Sequence, residues 1–282
     1  MDQLTENLAA PKFWWDDTLP FIEARSVLDG RKVCYAKHSH QTFSIGAITN
    51  GCCTYLNGKT TEPIDAGSVT LMNPEEAHAC NPLKDQPWSY HMLYVDTSWL
   101  TALQHEQGFS PNQDFRAFSK RVTTDPGLYA GLDRLYATLV SDRTESLQKH
   151  CAVLSFFEQV QQTLDPAPLT PRRENNRKLA CAAEYIRENS AQTLKLDDIC
   201  AAAGLSSSYL IRAFKQCYGM TPHAYLTNCR IEYSRAQLKR GRAIAEVAAA
   251  AGFADQAHLQ RTFKQFVAAT PGQYRSLGFS IR

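Results

Sequence analysis

Two stretches of the C-terminal half repeat one another in register. Residues 200–225 read CAAAGLSSSYLIRAFKQCYGMTPHAY, and residues 248–274 read AAAAGFADQAHLQRTFKQFVAATPGQY. Leu210, Arg212, Phe214, Lys215, Gln216, Thr221, Pro222 and Tyr225 return 49 residues later as Leu259, Arg261, Phe263, Lys264, Gln265, Thr270, Pro271 and Tyr274. Such a repeat signals one supersecondary unit used twice. Each copy reads as helix, turn, helix. The first has a short amphipathic helix ending at Ala203, the turn glycine Gly204, and Ser206 as N-cap of a second helix running to about Tyr218. The second has Ile244–Ala251, then Gly252, then Asp255 as N-cap. Leu210, Phe214 and Tyr218 face inward in one copy, and Leu259, Phe263 and Phe266 in the other. Between the copies, Thr221-Pro222 opens a connector helix that Gly241 stops after about Arg240. At ~1.5 Å per residue that connector measures ~27–29 Å. This approaches the ~34 Å pitch of B-DNA, so a rigid connector would set two second helices into successive major-groove segments.

Charge divides the chain in the same place. Residues 1–170 carry 13 Lys+Arg against 20 Asp+Glu, a net −7, and residues 171–282 carry 17 against 8, a net +9. A basic module of this size meets an anionic partner, nucleic acid above all, or presents a well-solvated surface. The chain of 282 residues suffices for two domains. The segment DPAPLTPRRENN has three prolines, so the expected division is 1–164, a linker at 165–176, and 177–282. With 44% hydrophobic and 21% charged residues the chain is an ordinary globular one, and no apolar run reaches the ~18–20 residues of a membrane span. The acidic start has no signal-peptide pattern, and nine cysteines form no C-x-x-C pair. The expectation is a cytoplasmic protein with reduced thiols and no membrane partner.

The front half opens with β signals at Thr42–Thr49, Cys52–Asn57, Ser68–Asn73 and Trp88–Val95. Asn50-Gly51, Asn57-Gly58, Ala66-Gly67 and Asn73-Pro74 separate them, which predicts an antiparallel barrel or sandwich. From about Ser98 the period becomes helical. Gly127–Val140 stripes Leu128, Leu132, Leu135, Tyr136 and Leu139 on one face, and Leu147–Leu164 stripes Leu147, Cys151, Leu154, Phe157 and Val160. The resulting antiparallel pair either covers the barrel or meets a second subunit.

The doubled unit resembles the AraC/XylS-type transcription regulators over Lys178–Arg275, most specifically in the ending G-F-x-D-x-x-x-L-x-R-x-F-K…T-P-x-x-Y-R at Gly252–Arg275. The front half is similar to the small cupin-like barrel that many members carry. The resemblance implies an α+β two-domain chain: a cupin-like antiparallel β-barrel with following helices, then an all-α double helix-turn-helix. It implies a regulator of double-stranded DNA, an activator working with RNA polymerase, with a small-molecule effector in the barrel, a homodimer, and no catalytic residue or cofactor.

In a helix-turn-helix the start of the second helix meets base edges. The outward positions are Ser207, Ser208, Ile211, Arg212 and Lys215 in the first unit, and Gln256, Ala257, His258, Gln260, Arg261 and Lys264 in the second. Arg212 and Arg261 suit guanine or a phosphate, and Gln256 and Gln260 suit adenine. Alternatively, either arginine pairs with a local acid. Arg230, Arg235, Lys239, Arg240 and Arg242, along the connector, meet phosphates or solvent. In the front half His38-Ser39-His40 and the later His78 are similar to the cupin H-x-H…H set, but Ser44 and Ile45 stand where the cupin glutamate is expected. The three histidines hold a metal, line a metal-free effector pocket, or are structural. Pocket candidates on the family's pattern are His38, His40, Phe43, Tyr55, His78, Trp88, Tyr90 and His91. Glu75-Glu76 falls in a turn signal and is expected to be exposed. Two competing functions remain: a metal-dependent cupin enzyme or metal sensor fused to a DNA-binding module, and an architectural DNA binder with no effector.

Overall fold

The computed structural model describes residues 11–31, 33–83, 86–164 and 174–277. Eight strands form the front half: β1 (Lys12–Trp15), β2 (Ile22–Val27), β3 (Phe43–Asn57), β4 (Thr60–Asp65), β5 (Val69–Met72), β6 (His78–Pro82), β7 (Trp88–Val95) and β8 (Val122–Thr123). The main ladder runs β1-β2-β7-β3-β5-β8, all antiparallel, with β4 and β6 pairing the far half of β3. Among the described residues it ends at β1 and β8 without closing, so the expected barrel is an open antiparallel sheet. Asn50-Gly51 does not separate two strands as expected. It is a register shift inside the 15-residue β3, where Gly51 takes φ +68° and a Cβ would meet the Pro87 carbonyl oxygen at 1.9 Å.

The two sheet faces have different partners. Ile22 and Ala24 of β2, Phe43, Ile45 and Ala47 of β3 and Leu93 and Val95 of β7 point one way. They pack under α1 (Thr97–Glu106), α2 (Pro126–Val140) and α3 (Ser146–Thr163). On α3 the buried apolar set is Val153, Phe156, Phe157 and Val160. The expected stripe is therefore displaced: Leu147 is 75% exposed and Cys151 is exposed, because the i, i+3, i+4, i+7 row from Val153 carries two phenylalanines to the sheet.

Among the described residues the back half is made of helices α4 (Glu174–Glu188), α5 (Leu196–Ala203), α6 (Ser207–Tyr218), α7 (Pro222–Lys239), α8 (Ile244–Ala250), α9 (Gln256–Val267) and α10 (Pro271–Leu277). Helix α4 starts inside the expected linker, and residues 165–173 lie outside the described residues. The turns follow sequence chemistry. Gly204 ends α5 at φ +60°, and Asp255 Oδ1 accepts from the His258 amide at 2.6 Å. Thr221 Oγ1 accepts from the Ala224 amide at 3.2 Å. Ser206 holds the N-cap position of α6, but its hydroxyl makes no capping bond. Leu210, Phe214, Leu259 and Phe263 are fully buried, whereas Tyr218 and Phe266 are only half-buried.

The second sheet face meets this helical half through buried charge. Glu23, 4% exposed, accepts from Arg235 at 3.2 Å, from the Tyr274 hydroxyl at 3.3 Å, and from Lys239 Nζ. Arg235 also bonds Glu232. The expectation that Arg235 and Lys239 meet phosphate or solvent is corrected: they hold the two halves together. Arg230 likewise turns inward, donating to the Ser190 and Gln192 carbonyls. Apolar contacts cross too. Phe13 lies edge-on to Tyr274 at 4.9 Å within the core of the second helix-turn-helix, and Ala77 joins the core of the first.

Burial pushes the Glu23 carboxyl up, but Lys239 and Arg235 outweigh it and hold it at about 2, below the ordinary 4.5. A depressed carboxylate stabilises above its unfolded value and loses that contribution as pH falls through its folded value. Acid titration of interdomain protection by hydrogen exchange is expected to show release between pH 4.5 and about 2. Glu23→Ala leaves Arg235 with Glu232 as its remaining carboxylate and Lys239, which is partly exposed, without one, and is expected to cost about 1.5–3 kcal/mol in urea unfolding.

Candidate DNA-reading surface and effector cavity

The second helices of the two units, α6 and α9, present their outer faces to solvent. Ser208, Ile211, Arg212, Lys215, Gln256, Ala257, His258, Gln260, Arg261 and Lys264 are exposed, and Ser207 is half-buried. Among the described residues neither Arg212 nor Arg261 has an ion-pair partner, so the local-acid alternative has no support in the structure. The connector α7 spans 18 residues, ~27 Å at the usual rise.

Both second helices touch the front half at their C-terminal ends. A cleft of about 680 Å³ separates Arg212, Lys215 and Gly219 of the first unit from Lys37, Glu75 and Glu76. Glu75 pairs with Arg187 at 2.9 Å, and Glu76 pairs with Arg121, so these acids are half-buried rather than exposed as expected. At α9, the Ala36 amide donates to the Gln265 carbonyl at 2.9 Å, and Arg25 Nη2 donates to the Val267 carbonyl at 2.9 Å. The last carbonyls of a helix lack partners within it and carry partial negative charge. The front half therefore caps α9. Asn228 of α7 makes a third link, accepting from the Ser39 amide at 3.2 Å and donating to its carbonyl at 2.7 Å.

The cavity lies on the sheet face that looks toward these links. Trp88, Tyr90, Met92 and Tyr94 of β7 line it with Tyr35, His38, Gly46, Ile48, Thr70, Met72, His78 and Cys80. Its volume is about 30 Å³, room for about one water and far below the ~300–1,000 Å³ of a ligand pocket. Of the sequence-derived pocket residues, His38, His78, Trp88 and Tyr90 line it, and Tyr55 is buried nearby, donating to the Leu71 carbonyl at 2.9 Å. His40 packs 4.7 Å from the His78 ring. Phe43 and His91 belong elsewhere. Phe43 sits in the helix-covered core against Phe118, and His91 has its Nδ1 3.1 Å from an Asp133 carboxylate oxygen and stacks on Tyr136 at 3.8 Å. Strand geometry explains this: side chains alternate, so Tyr90 and His91 cannot share a face. The same alternation carries a signal for Tyr94 and Met92. Arg25 is the residue sequence reasoning missed altogether; it is 3% exposed, two positions from Glu23 on β2.

His38, His40 and His78 cluster, each offering a ring nitrogen within 4.8 Å of the others. Their Nδ1 atoms face the carbonyls of Ala36, Thr42 and Glu76 at 2.9, 2.9 and 2.8 Å. A carbonyl only accepts, so each Nδ1 is protonated and each Nε2 keeps its lone pair. Burial, then a neighbouring imidazole, lowers His38 and His78 to about 3, and His40 is lowered in the same way. Three neutral imidazoles with carbonyl-bonded Nδ1 match the donors that zinc and similar ions take. Ser44 Oγ lies 3.3 Å from His40 Nε2 where a carboxylate would complete a cupin set.

Comparison with known proteins agrees with this anatomy. Residues 27–157 match the family described as AraC-like ligand binding domain, and 199–276 match a helix-turn-helix domain. The chain is 27% identical over 227 residues to the HTH-type transcriptional regulator YbfI of Bacillus subtilis, covering 80% of this chain and 81% of that one. It is 30% identical over 104 residues to the regulator MtrA of Neisseria gonorrhoeae, and 32% over 94 residues to the melibiose operon regulatory protein of Escherichia coli. These two matches span only 35% and 31% of those relatives. Apo ToxT from Vibrio cholerae has a similar fold, with TM-score 0.60 at 16% identity over 91% of this chain and 97% of that one. Among the described residues no helix is long and apolar enough to cross a membrane.

The assignment of Phe43 to the core rather than the cavity is testable. Phe43→Ala is expected to cost about 3–5 kcal/mol in chemical denaturation, with no direct effect on any ligand contact. Tyr90→Phe, which breaks the 2.5 Å bond between the Tyr35 and Tyr90 hydroxyls, is expected to cost about 1 kcal/mol by the same assay.

Proposed function

Since the chain belongs to the AraC-type transcription regulators, with a ligand-binding domain and a helix-turn-helix domain, we propose that it is an effector-controlled activator whose front half governs the placement of α9. The observation that carries this reading is the capping of α9 by Ala36 and Arg25, residues beside the cavity. Anything that rearranges the cavity wall changes how the DNA-reading helix is held, and a ligand shifts that equilibrium by its differential affinity for the two arrangements. Arg212 and Arg261 read guanine or phosphate, Gln256 and Gln260 read adenine, and Ser207, Ser208, Ile211, Lys215, Ala257, His258 and Lys264 complete the two surfaces. Their exposure and the two arginines' lack of acid partners support this.

RNA polymerase is the partner an activator requires, the cytoplasm is its compartment, and no enzymatic step is assigned. A homodimer is supported by Val140 and Leu147, large apolar side chains left exposed where α2 and α3 meet. A metal-sensing variant of the same function is favoured by one observation, the carbonyl-bonded Nδ1 atoms of the histidine cluster. On that reading Zn²⁺ raises the melting temperature of the full chain and His78→Ala abolishes the rise; no metal-dependent rise leaves the imidazoles as cavity wall.

Arg261→Ala tests the DNA reading. It is expected to reduce affinity for the selected site by about 1–3 kcal/mol and to relax sequence preference there, with unchanged thermal stability. Fluorescence anisotropy against specific and scrambled duplexes at two salt concentrations is the measurement. Unchanged specific affinity would remove Arg261 from the interface.

A further inference from the structure

Arg25 is the most unusual side chain outside the DNA-reading surface. It is 3% exposed, and among the described residues no carboxylate lies within ion-pairing distance. The nearest acid along β2, Glu23, is already held by Arg235 and Lys239. Three rings surround the guanidinium instead, with Phe13 at 4.9 Å, Tyr35 at 5.1 Å and Tyr90 at 5.9 Å from its carbon. Nη2 donates to the Val267 carbonyl, while Nε is buried and has no hydrogen-bond partner among the described residues. Nε and Nη2 are the two parallel donors with which an arginine grips a carboxylate. One prong is filled by a neutral oxygen from the other domain, and the other has no hydrogen-bond partner among the described residues, although the Tyr94 hydroxyl also lies beside the guanidinium.

Glu23 acts on Arg25 through space but forms no ion pair with it; a buried cation with no ion-pair partner of its own is costly, so it marks a function more readily than a packing choice. We propose that Arg25 is the receptor for a small organic monocarboxylate, and that taking it up exchanges the Val267 carbonyl for the ligand. This rests on the effector-controlled reading above and adds the chemical class of the effector and the bond it breaks. A single negative charge neutralises the site, whereas a phosphate dianion would leave a buried excess among tyrosines. Tyr35 and Tyr90 touch the guanidinium and also wall the cavity, whose remaining lining includes Ile48, Met72 and Met92. That lining suits an apolar body behind the carboxylate. The cavity now admits about one water, so the ligand must gain room. Withdrawing the end of α9 supplies it: Ala268, just after Val267, packs on the same apolar cluster as Trp88, Tyr90 and Met92. Freeing the fork and opening the cavity are thus one movement, and that movement uncaps the second DNA-reading helix.

The test uses the full-length chain, treated with EDTA, at constant ionic strength. Acetate, octanoate and benzoate are compared with acetamide, octanamide and benzamide by melting temperature and by affinity for a duplex selected from random sequence. At least one acid is expected to raise the melting temperature and shift DNA affinity severalfold, with its amide inert. Amide hydrogen exchange at residues 266–270 is expected to quicken with that acid. Arg25→Lys keeps the charge but loses the fork, and it is expected to bind the acid at least tenfold more weakly while still binding DNA. Arg25→Gln provides a second, neutral variant should the lysine disturb the fold. Amides as effective as acids, wild-type acid affinity in Arg25→Lys, or no binding of any acid would each overturn the proposal. If a neutral metabolite then alters DNA affinity, effector control stands without Arg25. If no compound of any class does so, effector control falls as well.

Discussion

The tertiary arrangement depends on one carboxylate. Glu23 sits on the sheet face opposite the covering helices and takes Arg235, Lys239 and the Tyr274 hydroxyl from the helical half. Two of these groups belong to the connector and the third to the last described helix, so one side chain fixes the front half against both ends of the second helix-turn-helix. The opposite net charges of the two halves, −7 and +9 by sequence, are partly spent here. A docking surface built on buried charge has a sharp energetic character. It is strong while every member is present, and it would be replaced at no loss of stability by well-packed apolar groups. What charge provides is orientation, since Glu23 is satisfied only when the connector lies at one angle across β2.

Strand alternation then sorts the whole front half. On β2, Ile22 and Ala24 go to the helix-covered core while Glu23 and Arg25 go to the other domain. Their ladder partners obey the same rule: Ala24 pairs Leu93 in the core, and Glu23 and Arg25 pair Tyr94 and Met92 on the cavity face. The cavity and the docking contacts therefore share one surface of one sheet. No long-range relay is needed between cavity and DNA-reading helix, because Tyr35 and Tyr90 touch Arg25, and Arg25 touches α9. The histidine cluster belongs to the same surface, with Ser39 between two of its members bonded to Asn228 of the connector.

Local signals were legible wherever a residue's role was set by its neighbours in sequence. Gly204, Thr221-Pro222 and Asp255 end or begin helices by their own chemistry, and all three do so where expected. Signals failed where a distant partner decided. Strand β2, IEARSV, alternates over only Ile22–Arg25, and its charged face reads as solvent-facing although it is buried against the other domain. Strand β4, TTEPID, carries a proline and is mostly exposed, which is edge-strand composition and hides among loops. Asn50-Gly51 has the composition of a hairpin turn, yet β7 continues past it and turns it into a bulge. Phe43 and His91 were legible in kind but not in direction, since one residue of register exchanges core for cavity.

The sequence by itself determined the repeated helix-turn-helix, its connector, the outward faces of the two second helices and the regulatory family, because these rest on short-range periodicity, capping and identities in register. Tertiary structure alone decided that Arg235 and Lys239 bind Glu23 rather than phosphate, that Arg25 lies buried with no ion-pair partner among the described residues, and that the cavity adjoins the end of α9. Those facts join residues more than 200 positions apart. Whether a buried charge is neutralised depends on which groups the folded chain brings within a few ångströms, and no spacing along the sequence carries that information.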